Sequence, residues 1–479
     1  MGQKAAEILG PVKLGDRRLE ERLHTMVEAF VERPESSIPS ACESWAATLG
    51  AYRLLDNDAV EPEAILTAAA QATAERAVGQ PLVLAVQDTT SIDYTGHGAT
   101  TGRGPLEHPA RQGLMVHTTL AVTEEGVPLG IVDQQVWARD PDQVGRRHGR
   151  RRIPIEGKES VKWLKGLRNA EARLGQTCRV VTVADREADV YDLFSLADQL
   201  QGDWLVRARH DRRLIGDEER LARAVRRAPL AGRVVTEVPR RADQPLRRAE
   251  LEVRFTRVTL APPPQWETVR AQWWDAHPGT QRIAPDPAPP LEVGVVLVEE
   301  VDPPHGETPV SWLLLTSLSV DTPEAALQCV HYYRLRWLIE RFHYVLKSGC
   351  GVERLQLESA PRLIRALTIY SLVASWLLHL TYQARAHPTA PVSAILDPES
   401  WHALYAFTHP GQPIPHDPPS LEFAVRLIAQ LGGFLGRKHD GNPGVKTIWR
   451  GLRRLTDITL AYRSFVVIPS TTNLTPTYV

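Results

Sequence analysis

Two aspartates stand where short apolar segments, each of strand length, come to an end. Asp88 follows the segment 82–86, and Asp185 follows the segment 180–184. A buried strand places the polar residue after it in the crevice at the carboxyl edge of the sheet, where α/β proteins bind their ligands. Two such carboxylates on adjacent strands can bridge a pair of hard cations about 3.5–4 Å apart, which is the arrangement used in phosphoryl transfer. Taken alone, each aspartate is also explained as a turn residue or a helix cap.

A third acid lies in a predicted helix over 330–347. Four polar residues of this helix recur at steps of three, four and seven, which places them on one helical face: Tyr333, Arg336, Glu340 and Lys347. A polar stripe of this kind suggests a site, although i,i+4 pairs also decorate ordinary exposed helices. The candidate catalytic residues and metal ligands are therefore Asp88, Asp185 and Glu340. Mg²⁺ is the expected metal, since it prefers a few carboxylates and keeps several waters.

The segments around these acids predict a mixed α/β sheet with helices on its faces. Strands are expected at 82–86, 116–122, 130–137, 179–184 and 204–208, with a helix over 158–174 and another directly after residue 189. The region from about 214 to 310 has the pattern of strands without helices, with candidates at 234–238, 249–255, 293–298 and 312–316. Within it, the Pro-rich stretch 261–290, which contains Trp266, Trp273 and Trp274, is predicted to be a long inserted loop.

Both ends of the chain have helical patterns. Near the amino end, helices are predicted after a cap at Asp16, over 46–55 and over 62–78. Towards the carboxyl end, one long amphipathic helix is predicted over 323–382, followed by helices at 421–435 and 446–460. The predicted domains are 1–75, 76–375 with a β-rich insertion at about 214–315, and 376–479.

The overall charge does not indicate a nucleic-acid partner, because the sequence has 56 basic and 57 acidic residues and therefore a net charge of −1. The positive charge is nevertheless clustered, in blocks at 146–152, 207–213 and 450–454. DNA requires a local basic stripe rather than a basic protein. Each block alone is equally well explained as a solvated face.

The four cysteines lie far apart and form no CxxC pair. A disulfide framework or a structural zinc site is therefore not expected, and a reducing cytoplasm fits this usage. The amino-terminal residues lack the apolar core of a signal peptide. No run of about 18 apolar residues is evident, so no membrane partner is expected.

The spacing Y-x2-R-x3-E-x6-K, from Tyr333 to Lys347, resembles the signature of one branch of bacterial insertion-sequence transposases. These are DDE enzymes with a ribonuclease-H-like core. Asp88 resembles their first catalytic acid, Asp185 in the segment DREAD the second, and Glu340 the third. The segment 14–18 (LGDRR) resembles the start of their amino-terminal DNA-binding region, and 431–434 (LGGF) their carboxyl-terminal dimerisation region. The resemblance covers nearly the whole chain.

This resemblance implies a cut-and-paste DNA transposase that acts as a homodimer on the terminal inverted repeats of a transposon. Such an enzyme nicks one strand with water and joins the freed 3′-OH to the opposite strand as a hairpin. A second water opens the hairpin, and the 3′-OH then attacks target DNA. All these steps are phosphoryl transfers that one site with two Mg²⁺ ions can serve, with Mn²⁺ as a substitute. The implied location is the cytoplasm, with association to the nucleoid when the protein is on DNA.

The same resemblance implies two groups of contacts at the end of the hairpin. Trp312 and Trp337 are expected to lie beside the base that leaves the stack, since an aromatic ring compensates for lost base stacking. Tyr333 and Arg336 are expected to hold the neighbouring phosphate, the arginine by a charge-assisted bidentate contact. Core packing is an equally simple account of Trp312, and packing of a helix on the sheet accounts for Trp337.

Three further basic residues resemble DNA-contacting positions of the family. Lys347 and Arg207 match positions that contact the DNA backbone, and Arg186 flanks the metal site.

Three other functions fit parts of this pattern. A retained DNA-binding protein that no longer cuts would gain nothing from three acids facing phosphates. A stand-alone structure-specific nuclease would use the same chemistry, and only strand transfer separates it from a transposase. A phosphate-ester hydrolase with an Asp nucleophile is disfavoured, because the segment 88–90 (DTT) lacks the second Asp that such enzymes usually need.

Overall fold

One mixed sheet of ten strands runs through the computed structural model, which describes residues 3–108, 110–143, 153–216, 220–238, 247–263, 267–285 and 288–466. The strands are β1 (Leu82–Asp93), β2 (Gly104–Pro105), β3 (Gln112–Thr123), β4 (Pro128–Trp137), β5 (Arg179–Ala184), β6 (Asp203–Arg207), β7 (Leu230–Val238), β8 (Arg247–Leu260), β9 (Leu291–Glu300) and β10 (Ser311–Thr316). Their order is β2-β3-β1-β5-β6-β10-β9-β8-β7, and β4 pairs with β3.

The centre of this sheet is parallel. Strand β5 lies parallel to both β1 and β6, and all other neighbouring strands are antiparallel. The segments of β1 and β5 that pair with each other are almost wholly buried, and they carry the continuous apolar runs that the sequence shows. The predicted mixed α/β core, with helices between its later strands, is confirmed.

Fifteen helices surround the sheet in the described part of the chain. They are α1 (Gln3–Leu9), α2 (Arg17–Glu32), α3 (Ile38–Cys42), α4 (Trp45–Asp56), α5 (Pro62–Ala77), α6 (Val161–Leu174), α7 (Tyr191–Leu200), α8 (Leu221–Arg226), α9 (Glu267–Ala276), α10 (Pro323–Leu335), α11 (Trp337–Tyr344), α12 (Ala360–Ala386), α13 (Pro398–Thr408), α14 (Leu421–Leu431) and α15 (Val445–Val466). The Asp16 carboxylate caps α2 by accepting the backbone N–H of Arg18, which confirms the predicted helix start.

Helix α12 forms the centre of the helical part of the molecule. Its Arg365 side chain donates to the carbonyl oxygens of Val60 and Leu55 and pairs with Asp58, which ties it to the loop between α4 and α5. Among the described helices, only α12 has the length and hydropathy of a membrane span, which corrects the expectation that no such run exists. Its most apolar window is 83% buried inside the protein, as in the core helix of a folded domain.

The region predicted to be a β-rich insertion without helices differs from that prediction in two ways. It contains the helices α8 and α9, and α9 occupies part of the predicted loop 261–290 (Trp266 lies outside the described residues). Its strands extend the core sheet, because β10 pairs directly with β6 and β9 follows it. Apolar alternation in a sequence indicates a strand but does not identify its partner, so this continuity could not be predicted.

The single helix predicted over 323–382 is broken into shorter pieces. Helix α10 ends before Arg336, α11 continues to Tyr344, and a π-helical turn follows at Val345–Gly349. Gly351 then adopts a left-handed conformation with φ of 63°, which ends the helical run before α12 begins. The predicted stripe of four polar residues therefore lies on two helices and a π-turn, a feature that often marks functional sites.

Candidate active site

Asp88 lies on β1 one residue beyond the point where β5 stops pairing with that strand. The last parallel pair is Gln87 with Ala184, whereas β1 continues to pair with β3 through Asp93. The predicted strand therefore ends too early, because its pairing with β3 extends it past the acid. The Asp88 side chain is about one-fifth exposed, and its Oδ1 accepts the backbone N–H of Thr89 at 2.8 Å.

Asp185 follows β5 directly and caps the short turn Arg186–Ala188, where its Oδ1 accepts the N–H of Glu187 at 2.8 Å. Because β1 and β5 are parallel neighbours, Asp88 and Asp185 lie at the same edge of the sheet, as predicted. The exposed Arg186 is the first residue of this turn. Sequence position alone therefore placed two of the three acids correctly relative to the sheet.

Glu340 reaches the same edge from α11. The Arg336 guanidinium lies between two acids, with Nη2 at 2.5 Å from Glu340 Oε1 and Nη1 at 3.5 Å from Asp88 Oδ2. The side chains of Arg336, Asp88 and Glu340 are each at most about one-third exposed. Arg336 therefore joins the strand that carries one acid to the helix that carries another.

The pKa of Asp88 shows how closely the acids converge. Burial raises this pKa to about 6, while Arg336 and the N–H of Thr89 oppose the rise. Asp185 and Glu340 contribute to this rise, so both of their carboxylates lie within electrostatic range of Asp88. The site carries three acids and one bridging guanidinium, an excess of negative charge in a partly buried cleft.

Tyr333 and Trp312 form an aromatic wall beside the acids. Tyr333 is buried on α10, and its ring meets the half-buried Trp312 of β10 edge-on, with centroids 5.3 Å apart. Burial raises the pKa of the Tyr333 hydroxyl, the guanidinium groups of Arg336 and Arg207 lower it, and Asp185 raises it. Arg207, at the end of β6, also donates to the carbonyl oxygen of Ser311 at 2.9 Å. The structure thus brings four of the candidate residues, Tyr333, Trp312, Arg336 and Arg207, close to one another and to the acids.

The other candidate residues lie at the margin of this cluster. Trp337, the first residue of α11, is 41% exposed. Lys347 lies in the π-helical turn, with Nζ 4.0 Å from Glu353 Oε1, and that oxygen accepts the N–H of Asp93 at the far end of β1. Of the predicted basic blocks, 146–152 lies outside the described residues.

Arg336 separates two of the three acids, Asp88 and Glu340. Among the described residues, no three carboxylate, imidazole or thiol groups converge as they would around one metal ion. The reason is visible in the geometry, since the Arg336 guanidinium occupies the space between Asp88 and Glu340 and offsets their repulsion. The donor set fits a hard divalent cation, because the acids supply only oxygen ligands and carry more negative charge than Arg336 neutralises.

Sequence reasoning missed the residues that lie behind Asp88. His117 of β3 contacts Thr89 Oγ1 through Nδ1 at 2.9 Å, and its Nε2 lies 3.1 Å from the side-chain amide of Gln87. With the amide nitrogen of Gln87 facing His117, Nδ1 carries the proton and donates to Thr89. Nothing in the apolar pattern of 116–122 marks this histidine.

Three protein-family models match the chain. A transposase DNA-binding model matches residues 1–60, a transposase DDE domain model matches 158–377, and a transposase Tn5 dimerisation domain model matches 373–465. The chain belongs to the Tn5-like DDE transposases. Asp185 and Glu340 lie inside the matched DDE region, and Asp88 precedes it.

Membership of this family decides several of the coarser predictions. The protein is a DNA transposase with a DNA-binding region at its amino end and a dimerisation region at its carboxyl end. The predicted fold class, a ribonuclease-H-like core between helical terminal regions, is confirmed. DDE transposases use divalent metal ions, and the carboxylates at the sheet edge are oxygen donors of the kind that such ions bind.

Proposed function

We propose that this transposase moves DNA by cut and paste through a hairpin intermediate, as in the insertion-sequence branch with the Y-x2-R-x3-E-x6-K signature. Water nicks one strand at each transposon end, and the 3′-OH attacks the opposite strand to close a hairpin. A second water opens it, and the 3′-OH finally attacks target DNA. Each step exchanges one phosphodiester oxygen for another, so a single site can serve them all.

The observation that carries this proposal is that Asp88, Asp185 and Glu340 lie at one edge of the sheet, with Asp185 and Glu340 within electrostatic range of Asp88. We assign these acids as the ligands of two Mg²⁺ ions, which Mn²⁺ can replace. Bound there, such ions would supply activation of the attacking oxygen and stabilisation of the leaving one. Arg336 must leave the space between Asp88 and Glu340 before the acids can act together.

The surrounding residues supply the grip on DNA in this proposal. Arg336, once released from the acids, binds the phosphate beside the displaced base together with Tyr333. The exposed Trp337 and the half-buried Trp312, whose ring also contacts Tyr333, are the aromatic residues proposed to stack beside that base. Their closeness to the acids supports these roles.

Three more basic residues complete the proposed contacts. Arg207 lies next to Tyr333, and Lys347 lies near the outer end of β1. Contact with the DNA backbone is the role proposed for both. Arg186 is exposed directly after Asp185 and flanks the metal site. A homodimer provides one active site for each transposon end, and the cytoplasm, on the nucleoid, is the proposed location.

The test is strand nicking and hairpin formation on duplexes that carry candidate element ends, with Mg²⁺ or Mn²⁺. Wild type is compared with Asp88→Ala, Asp185→Ala and Glu340→Ala. Glu422→Ala is the matched control, because Glu422 also forms an i,i+4 pair with an arginine, Arg426, on a different helix. We expect hairpins from wild type and the control, and bound but uncut DNA from the other three.

Two other outcomes point to the rival functions. If wild type binds the ends as well as the variants do and cuts nothing, the chain is a retained DNA-binding protein. If it cuts but never joins a 3′-OH to target DNA, it is a structure-specific nuclease. The acid trio favours the transposase over the binder, because three clustered carboxylates weaken the attraction of phosphates.

A further inference from the structure

A buried lysine lies beside the acid site, and the roles assigned to the catalytic acids do not explain its presence. Lys162, on α6, is 7% exposed. Its Nζ lies 5.6 Å from the ring centroid of Trp137 and 5.5 Å from that of Trp163. Within the described part of the chain, no acceptor is hydrogen-bonded to this ammonium and no carboxylate lies at ion-pair distance.

Strand register places this lysine at the same edge of the sheet as Asp88. Trp137 of β4 and Ser91 of β1 both pair with Met115 of β3, so Trp137 is level with a residue three positions beyond Asp88. Lys162 therefore lies at the acid edge of the sheet, on the side of β4.

The charged and titratable groups around Lys162 lie on several elements, and they include His117 of β3, whose pKa is lowered by burial and by Lys162. Burial lowers the pKa of the Lys162 ammonium, Glu159, Glu187 and Asp88 raise it, and Arg139 lowers it again. Glu159 is already bound, since it accepts two bonds from Arg139 and one from the Trp137 indole N–H. The nearby acids therefore attract Lys162 without using its three N–H donors.

A buried cation without a hydrogen-bonded partner is costly, and proteins normally satisfy such groups. The two indole faces stabilise the positive charge but accept no conventional hydrogen bond from it. An anion that reaches this edge of the sheet would complete the site. Lysine is suited to phosphate, which it binds as a compact point charge.

We propose that Lys162 binds a DNA backbone phosphate next to the scissile bond, with Trp137 and Trp163 holding its ammonium in position. The proposal rests on the proposed function only in placing DNA at the acids; it does not require that the DNA be cut. Lys162 would hold the strand from the β4 side of the acid site.

The experiment combines a protein change with a single neutral phosphate. Blunt duplexes carrying a candidate element end are prepared with one methylphosphonate at each successive position near the terminus. Binding is measured by fluorescence anisotropy with Ca²⁺, for wild type, Lys162→Met, Lys162→Arg and Lys165→Met. Methionine keeps the apolar stem, and Lys165 is an exposed lysine on the same helix.

For wild type and Lys165→Met, we expect one neutral phosphate to weaken binding about tenfold. In Lys162→Met the same phosphate should have no further effect, while the other positions keep theirs. Lys162→Arg retains the charge and should respond as wild type does. If the methionine variant does not fold, wild type still decides, because finding no position near the scissile bond at which a neutral phosphate weakens its binding would overturn the proposal. Equal sensitivity of wild type and Lys162→Met at every position would overturn the proposal. Because only binding is read, failure of cleavage remains a separate result.

Discussion

The turn after β5 carries two aspartates, four residues apart, in opposite surroundings. Asp189 is buried and fully used, since it accepts the backbone N–H groups of Arg209 and His210 and pairs with the Arg212 guanidinium. Asp185 is half-exposed, and its one backbone bond within the turn leaves carboxylate oxygens available. Identical side chains in one short segment thus serve as an anchor and as a candidate ligand.

The arginines of the two regions differ in the same way. Arg212 faces a single buried acid and also donates to the carbonyl oxygen of Asp189, which closes the pair. Arg336 is shared between Asp88 and Glu340, with Asp185 close enough to act on Asp88. The Asp189–Arg212 pair, whose bonds are all satisfied, stabilises a loop. The acids around Arg336 carry more negative charge than one guanidinium neutralises, so they can also bind a divalent cation.

The largest expected effect is the loss of nicking activity when Asp185, but not Asp189, is replaced. Asp185→Asn should slow single-turnover nicking by about 10³-fold or more, because it removes a charge needed to hold the metal ions near the reacting phosphate. Its urea unfolding midpoint should stay near that of wild type, since its backbone bond survives in the amide. A nicking rate within tenfold of wild type would exclude Asp185 from the metal site.

The reverse pattern is expected for Asp189→Asn. Removing one partner of a buried ion pair leaves the Arg212 charge uncompensated, at a cost of about 3–5 kcal/mol in the free energy of unfolding. Urea unfolding followed by tryptophan fluorescence measures this loss. Below the unfolding transition, the remaining folded protein should retain nicking activity. A stable variant without activity would instead place Asp189 in the active site.

This contrast also shows which parts of the site are visible in the sequence. Apolar runs ending in Asp88 and Asp185 indicate a shared sheet edge, because buried parallel strands have a pattern of their own. The position of Arg336 between two acids depends on where α10 ends, and local propensity does not fix helix ends to one residue. Lys162 is one basic residue among several in the predicted helix 158–174, and only the packing of Trp137 and Trp163 distinguishes it.

The fold likewise has features that local sequence patterns predict and features that they do not. Strand segments and the capped start of α2 follow from local patterns, and they were predicted close to their observed positions. Long-range pairing was not accessible: β1 runs on to Asp93 because β3 pairs with it, and β10 joins the core sheet through β6. Helix α9 was missed because its residues lie in a Pro-rich stretch that favours a loop.

A smaller effect follows from the raised pKa of Asp88. An acid whose folded-state pKa is raised, here from 3.8 to about 6, stabilises the fold below pH 4 and loses that contribution as the pH rises through 6. Asp88→Asn cannot ionise and avoids this loss. In EDTA it should match wild type near pH 4 and be about 1–3 kcal/mol more stable at pH 8. Thermal unfolding of both proteins across this pH range measures the difference. Identical stability curves for the two proteins would show that the ionised form of Asp88 is not disfavoured in the folded state.

The smallest expected effect is on metal affinity. It tests whether Arg336 weakens metal binding by the protein without DNA. Arg336→Gln removes the guanidinium that lies between Asp88 and Glu340, so the unbalanced acids should bind Mn²⁺ about tenfold more tightly without DNA. Isothermal titration measures this affinity directly. Arg426→Gln, which breaks the i,i+4 pair with Glu422, is the matched control and should bind Mn²⁺ as wild type does.

Adding Asp88→Ala to Arg336→Gln should abolish the gain, which locates the bound ion at the acid site. If Arg336→Gln and wild type bind Mn²⁺ equally, the guanidinium does not compete with metal, and the difference between the two arginines is only one of packing. If the gain appears, DNA and metal are coupled through this one side chain. A phosphate that draws Arg336 away from Asp88 and Glu340 then raises the metal affinity of the acids, so the site becomes complete only when DNA is bound.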